Sequence, residues 1–200
     1  MKYLYLILTL LTFKISCAQT DSIIKQFDIR ANTLNRNGIL VLSSWASANI
    51  VGSAVGYSLT KSNEEKDFYM MNASWGVINL GLALPSLLSK EKSSSSIYDL
   101  QRKQTKTEKI FLVNSLLDVI YITSGFYLKE YANHQTDLKK QERFTGFGNS
   151  IVIQGTGLMI FDLAMTILNN RNRKKHLDTF LKKASFNFSG NFLKIGYEFN

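Results

Sequence analysis

The sequence predicts an all-α membrane protein: a four-helix transmembrane bundle preceded by a cleaved signal peptide and an amphipathic helix, with a short C-terminal β-hairpin. Two observations predict this fold. The apolar residues are concentrated in long blocks that charged segments separate, which is typical of membrane proteins. Each block also carries one stripe of polar residues at helical spacing. A length of 200 residues allows one domain.

The first 18 residues have the features of a signal peptide. An apolar run follows Lys2, and Ser16 and Ala18 place small residues at positions −3 and −1 of a cut after residue 18. Lipidation of Cys17 is the alternative, but the residues before it form a poor lipobox. Cleavage would remove the only cysteine of the chain, so the mature protein would form no disulfide.

Residues 19–37 have the pattern of an amphipathic helix. One helical face holds its apolar residues, which are Ile23, Ile24, Phe27, Ala31 and Leu34. A basic helix with such a face is predicted to lie at the membrane interface. An ordinary helix packed against protein is the alternative.

Four segments are long enough to cross the hydrocarbon core, which needs about 20 residues in a helix. They are residues 38–60, 68–89, 110–128 and 148–170. The first two have no charge, the third has only Asp118 and the fourth only Asp162. A soluble bundle would show charged outer faces, which these segments lack. Gly52 and Gly56 form a small-x-x-x-small pair, which predicts close approach of a neighbouring helix.

The basic tail, residues 171–200, changes to alternating apolar and polar residues at its end. A turn signal at residues 189–191 predicts a hairpin of 185–188 against 192–199. The predicted location is the bacterial inner membrane, crossed several times. Orientation is contested: the leader places residue 19 outside, whereas the basic residues of the second loop and the tail favour the inside by the positive-inside rule.

The polar stripes meet at a common depth. Polar groups in hydrocarbon must face protein, so these residues are predicted to form an intramembrane site. Its predicted members are Asn49, Asn72, Asn79, Asp118, Tyr121, Gln154 and Asp162, with Trp45 and Trp75 as aromatic residues lining a cavity. The pattern Ser-Trp-x-x-x-Asn occurs twice and predicts that Asn49 and Asn79 meet. No span contains Lys, Arg or His, so the two carboxyl groups must be protonated, share a proton or bind a cationic guest.

Other chemistry has little support in the sequence. His134 and His176 lie outside the spans without metal-ligand spacing, and no Gly-x-Ser-x-Gly motif occurs. We therefore predict no catalytic residue, no metal site, no cofactor and no enzymatic activity. The basic residues are scattered and lack an aromatic face for reading nucleic acid, so we predict the lipid bilayer as partner, with anionic lipid at the basic loops.

Several motifs of this chain resemble those of a known family. They are Met71-Asn72-x-x-Trp75-x-x-x-Asn79, Asp118-x-x-Tyr121-x-x-x-Gly125 and Gln154-Gly155 followed by Phe161-Asp162. The segment 31–170 is similar to a family of small uncharacterised bacterial membrane proteins with four predicted helices, a domain of unknown function. The resemblance implies a four-helix membrane core and no particular activity. Gly76 departs from the pattern, where a bulkier polar residue is expected.

Three functions fit these observations. The sequence favours a structural or interaction role, in which the polar layer only holds the helices together. The alternative is a small binding or transport protein for protons or a cationic solute, with Asp118 and Asp162 as its ligands. An intramembrane enzyme using the same two residues is the least supported. A closed hydrogen-bonded layer would favour the first function and a cavity beside the aspartates the second, while oligomeric state and protein partners are not specified.

Overall fold

The computed structural model describes the backbone of residues 2–89, 94, 96–179, 181, 184–189 and 192–197, and the side chains of 22, 24–89, 94, 96–179 and 181. Four long helices make up most of these residues: α1 Lys2–Leu59, α2 Asn63–Leu88, α3 Ile97–Asn133 and α4 Leu138–Asn172. A π-helical turn, Arg173–Asp178, continues α4. The predicted all-α four-helix bundle is confirmed.

The helices begin at capping residues that the sequence supplies. Ser62 accepts a hydrogen bond from the backbone N–H of Glu65 at 3.4 Å, which caps α2. Ser96 accepts from the N–H of Asp99 at 3.1 Å at the start of α3. These caps satisfy backbone donors that the first helical turn leaves open, and they confine the connection between α1 and α2 to residues 60–62.

The cleaved signal peptide and the C-terminal hairpin both remain predictions. Helix α1 runs from Lys2 through the proposed leader into the first predicted span. The side chains of residues 1–21 lie outside the described residues, so cleavage after Ala18 is not tested. At the other end, strand segments β1 and β2 are assigned at Ala184–Ser189 and Phe192–Tyr197. The turn residues 190 and 191 lie outside the described residues, and the terminal hairpin is therefore not established.

The chain folds into two compact units, of which the first comprises Met1–Thr33, Glu91–Thr107 and Leu168–Asn200. Its core is apolar: Phe27, Ala31, Leu100 and Leu177 pack together, with Ile24, Ile97 and Leu181 around them. Phe27 and Ala31, two residues of the face that the sequence assigned to the membrane interface, are thus covered by protein. This packing agrees with the alternative of an ordinary packed helix, and it arises because α3 and the end of the helical tail supply apolar partners for that face.

The second unit comprises Leu34–Lys90 and Glu108–Ile167 and is a bundle of segments from all four helices. The distribution of its polar and apolar side chains is the reverse of that in a soluble protein. Polar side chains are buried in it, namely Asn49, Ser53, Asn72, Asn79, Ser115, Asp118, Ser150, Gln154 and Asp162. Large apolar side chains are exposed on its surface, for example Val77 at 60% and Leu82 at 70%. An apolar outer face requires an apolar solvent, as a lipid bilayer provides.

In the described part of the chain, three helices are long and apolar enough to cross a membrane by length and composition: Ile24–Leu59, Ile97–Asn133 and Leu138–Asp178. These include three of the four predicted spans. The predicted span at 68–89 is not among them. It has no charge, but Asn72 and Asn79 lower its mean hydropathy, and Pro85 lies in its last turn.

Glycines allow the helices of the second unit to touch. A Cβ on Gly76 would lie 2.8 Å from the carbonyl oxygen of Ala46, so α1 and α2 approach there to backbone contact. A Cβ on Gly125 would lie 2.8 Å from the carbonyl oxygen of Gly148, which marks a similar contact between α3 and α4. The close approach predicted for the Gly52 and Gly56 pair is found at Gly56, where a Cβ would collide with the ring of Tyr69 on α2. It is wrong for Gly52, because nothing lies within 4 Å of its Cβ position. Gly76, the apparent departure in the sequence, is a further packing residue between α1 and α2.

Candidate functional site: an amide cluster and an acidic cavity

The structure divides the predicted polar layer into two groups within the second unit. Four of the nine predicted residues form a hydrogen-bonded cluster: Trp45, Asn49, Asn72 and Gln154. The other five line a cavity: Trp75, Asn79, Asp118, Tyr121 and Asp162. The two groups have different chemistry, because the first satisfies its own polar atoms and the second leaves some of them open.

The first group, here called the amide cluster, is centred on Gln154, which is fully buried. Its Nε2 donates to Asn49 Oδ1 at 2.7 Å and also to Asn72 Oδ1. Its Oε1 accepts from the indole Nε1 of Trp45 at 3.1 Å. One side chain on α4 therefore connects two residues of α1 with one of α2.

The two asparagines of the amide cluster complete its bonding. Asn72 Nδ2 donates to Asn49 Oδ1 at 2.7 Å and to Ser53 Oγ at 3.2 Å. Asn49 Nδ2 donates to the carbonyl oxygen of Trp45 at 2.8 Å. Every amide group of the cluster is thus engaged, as a buried polar network in hydrocarbon requires. Such a cluster holds helices together and offers no open group to a ligand.

The predicted meeting of Asn49 with Asn79 is wrong. Asn49 contacts Asn72, which lies seven residues before Asn79 on the same face of α2. Seven residues correspond to about 10 Å along a helix, so the two sites are separate. The repeated Ser-Trp-x-x-x-Asn pattern therefore does not mark a symmetric contact.

This geometry predicts which pair of amides is coupled. Asn49→Leu and Asn72→Leu are each expected to destabilise the bundle, and the double variant to cost less than their sum, because each change removes the same hydrogen bond. The deviation should be about 0.6–2 kcal/mol, the range for hydrogen bonds between membrane helices. Unfolding in detergent measures it. The matched cycle of Asn49 with Asn79 is expected to be additive, and coupling in that cycle alone would contradict the arrangement.

The second group lines a cavity of about 430 Å³, here called the acidic cavity. Helices α2, α3 and α4 supply its polar residues: Asn79, Asn114, Asp118, Tyr121 and Asp162. Its remaining wall is apolar or aromatic, and Ile39 and Leu42 of α1 contribute to it. The volume lies within the range of about 300–1,000 Å³ that is typical of small-molecule sites.

The two carboxyl groups of the acidic cavity are neighbours. Asp118 and Asp162 both line the cavity, and Asn114 belongs to the same lining. Both aspartates are at least 96% buried, with exposures of 2% and 4%. Two negative charges buried together without a basic neighbour would repel each other, so the pair carries at most one negative charge.

Two polar atoms in this region have no hydrogen-bond partner among the described residues. They are Oδ2 of Asp118 and Nδ2 of Asn79, one an acceptor and the other a donor, and both are buried. Buried polar groups are nearly always hydrogen-bonded, and each exception needs a cause. Because both residues line the acidic cavity, a guest in the cavity would supply the missing partners.

Aromatic rings form two further sides of the acidic cavity. Trp75 and Tyr121 contact edge to face, with ring centroids 4.9 Å apart. Phe111 and Phe161 make a similar contact at 6.1 Å. Sequence reasoning missed these two phenylalanines and Asn114 as site residues. Asn114 lies one helical turn before Asp118 on the polar stripe, a signal that was present in the sequence, whereas apolar residues in a span give no such signal.

The acidic cavity has an anionic site without a protein cation. None of its lining residues is basic. Among the described residues, no group of three or more His, Cys, Asp or Glu is placed to hold a metal ion. The arrangement can hold a proton between the carboxyl groups, and it can balance the charge of a monovalent cation.

A comparison with known proteins places this bundle in a family. The profile of a family of unknown function (DUF6992) matches residues 41–163, which contain the whole amide cluster and every polar residue of the acidic cavity. No curated protein sequence and no solved structure matches the chain significantly. The resemblance seen in the sequence is confirmed to that extent. Since the match covers more than half of its length, the chain belongs to this family of unknown function.

Proposed function

We propose that this protein is a non-enzymatic membrane protein with four spans that binds a cation, or a proton, at the Asp118–Asp162 pair. The observation that carries the proposal is the acidic cavity itself, which joins two buried carboxyl groups to an open volume and to unpartnered polar atoms. Buried ionisable groups within a membrane bundle indicate function more often than support.

The outer surface of α2 supports a fourth span. Between residues 68 and 89 this helix has no charged residue, and its exposed side chains include Met70, Val77, Ile78, Leu82 and Leu84. Its asparagines are buried inside the bundle, where lipid does not meet them. A low mean hydropathy is therefore compatible with a lipid-facing surface, because the two asparagines that lower it both point to protein.

Two exposed tyrosines support a position of the acidic cavity near the middle of the membrane. Tyr57 and Tyr127 are 48% and 68% exposed and lie near the end of α1 and of α3. Tyrosine is enriched where the bilayer meets water. Asp118 precedes Tyr127 by nine residues, which is about 14 Å along the helix and close to half of a hydrocarbon core of about 30 Å.

The amide cluster and the acidic cavity have separate roles in this proposal. A structural or interaction role, the second candidate, is favoured by that cluster, because its bonds are complete and tie α1, α2 and α4 together. The carboxyl groups are not part of those bonds. The residues of the amide cluster are therefore sufficient to hold the helices together. A purely structural role leaves the cavity and the aspartates unexplained.

The finer organisation of the protein forms part of this proposal. The leader, residues 1–18, is removed by cleavage, and the protein lies in the bacterial inner membrane. In the first unit the basic side chains of Arg102, Lys106, Arg171, Lys174 and Lys175 lie at the surface. Such residues are attracted to anionic lipid headgroups. The tail ends in a hairpin.

A hydrophobic carbodiimide tests the carboxyl pair without knowledge of the ligand. This reagent enters membranes and adds to protonated carboxyl groups. In proteoliposomes we expect mass spectrometry to find modification at Asp118 or Asp162, because one of them is protonated and the cavity admits the reagent. Asp118→Asn and Asp162→Asn should each fold, since an amide replaces the carboxyl group in shape, and each should reduce labelling of the pair at least tenfold.

Asp67 in the first turns of α2, whose Oδ2 lies 3.9 Å from Nε of Arg143, provides the control. Asp67→Asn should leave labelling of the pair unchanged. Cation uptake into the same liposomes is measured beside it, with the aspartate variants expected to lose uptake. Absence of both labelling and uptake in the unaltered protein, with variants as stable as the parent, would support the structural role instead.

A further inference from the structure

We infer that the guest of the acidic cavity is an organic monoammonium ion that also carries a hydrogen-bond acceptor, such as a hydroxyl or carbonyl oxygen. This inference rests on the proposed function and names its ligand class. It uses the volume of the cavity, its aromatic walls and the two unpartnered atoms.

Volume and lining argue against the simplest cations. A proton needs no open space, and a cavity of about 430 Å³ has room for a small organic molecule. Bare Ca²⁺ or Mg²⁺ takes six or more oxygen ligands in a compact shell. The lining is mostly apolar, and the described residues contain no group of three His, Cys, Asp or Glu placed to hold a metal ion. The space therefore fits a guest with an apolar body.

The charge of the acidic cavity sets the charge of the guest. Asp118 and Asp162 are buried in one lining that has no basic residue, so repulsion between like charges limits the pair to one negative charge. An ammonium group donating to Oδ2 of Asp118 would satisfy that buried acceptor and balance this charge. A dication would leave one charge uncompensated in an apolar site, so the guest is a monocation.

The aromatic rings of the lining favour an organic cation over an inorganic one. Trp75 and Tyr121 contact each other in the lining of the cavity, and so do Phe111 and Phe161. Aromatic faces attract ammonium groups, and rings of this kind pack against apolar or aromatic ligands. No such wall is needed for a hydrated inorganic ion.

Asn79 requires that the guest carry a hydrogen-bond acceptor as well as a positive charge. Its side chain is 4% exposed, lines the cavity and has an Nδ2 donor without an acceptor among the described residues. An ammonium ion cannot satisfy it, because an ammonium group has only donors. The guest must therefore bring an acceptor, and a site built to hydrogen-bond such a group discriminates against ligands that lack it.

Three related compounds test these requirements separately. They are 2-amino-1-phenylethanol, with ammonium and hydroxyl groups; 2-phenylethylamine, with only the ammonium group; and 2-phenylethanol, with only the hydroxyl group. The chain has two tryptophans, so Trp45→Phe leaves Trp75 as the fluorescent reporter in the cavity wall. Titration in detergent micelles then gives an affinity for each compound. We expect the amino alcohol to bind about tenfold more tightly than the amine, and the neutral alcohol at least a hundredfold more weakly than the amino alcohol.

Variants assign each preference to its residue. Asn79→Leu should abolish the difference between the amino alcohol and the amine while binding of the amine persists. Asp118→Asn should abolish the preference for an ammonium group. Should Asn79→Leu fail to fold, Asn79→Ser, which retains a hydroxyl donor, is expected to keep part of the discrimination. Thermal unfolding of the parent with each compound gives a second readout that needs no variant.

The outcomes separate this inference from the proposed function. Equal binding of the amine and the amino alcohol by the parent would overturn the acceptor requirement. If no compound binds, but the carbodiimide labels the pair and protons are taken up, the ammonium guest is wrong and a proton or smaller cation is the ligand. Binding of the neutral alcohol as tightly as the amino alcohol, without effect of Asp118→Asn, would overturn both the ligand class and the role of the carboxyl pair.

Discussion

Gln154→Leu is expected to cause the largest loss of stability of any single replacement in the amide cluster, about 2–5 kcal/mol. Gln154 makes three side-chain hydrogen bonds, with Trp45, Asn49 and Asn72. Each such bond between membrane helices is worth about 0.6–2 kcal/mol. Leucine removes all three together and leaves the indole N–H of Trp45 without its acceptor, in surroundings where water does not replace it.

Reversible unfolding in mixed micelles measures this loss. Ser150→Ala is the matched control, because Ser150 lies one turn before Gln154, is equally buried and makes a long bond of 3.4 Å to Asn72. We expect Ser150→Ala to cost less than about 1 kcal/mol. A loss for Gln154→Leu no greater than for Ser150→Ala would show that the amide cluster does not hold the helices together.

Gly76→Ala and Gly52→Ala are expected to have opposite effects on the free energy of unfolding, although both place one methyl group on a helix. At Gly76 the new Cβ would lie 2.7 Å from Cγ1 of Ile50 and 2.8 Å from the carbonyl oxygen of Ala46. Helices α1 and α2 must then separate, and such overpacking costs about 1–3 kcal/mol. At Gly52 nothing lies within 4 Å, so alanine should add up to about 1 kcal/mol through its higher helix propensity.

The comparison is made best on the two single variants in one unfolding assay, with the double variant expected to be additive. A second readout is proximity: a cross-link between cysteines introduced on the facing sides of α1 and α2 should weaken in Gly76→Ala and persist in Gly52→Ala. Equal stabilities of the two variants would mean that the helices do not touch at Gly76.

The composition of the spans was enough to predict the four-helix bundle and the burial of its polar residues. Blocks without charge exclude a charged outer face, and amides in apolar blocks have only protein to bond with. For these reasons Asn49, Asn72 and Gln154 could be recognised as interior residues before any contact was known. The same reasoning placed Asp118 and Asp162 inside.

Which interior residues meet could not be predicted in the same way. Asn72 and Asn79 share one face of α2, and helical phase alone does not say which of them lies level with Asn49. That choice depends on the axial shift between helices, which close contacts such as that at Gly76 determine. Gly52 shows the same limit, because a small residue permits a contact but does not require one. The cavity depends on the packing of all four helices.

The hydrogen bond between Asn72 and Asn49 has a consequence for how the protein is made. Helix α2 is the least suited of the four to enter a bilayer alone, since its amides would meet lipid without a partner. Within the pair α1 and α2, joined by residues 60–62, Asn72 already has Asn49 and Ser53 as partners. With α2 as the fourth span that we propose, α2 would partition into the membrane together with α1 as a helical hairpin, and the translocation machinery would have to retain α1 until α2 has emerged from the ribosome.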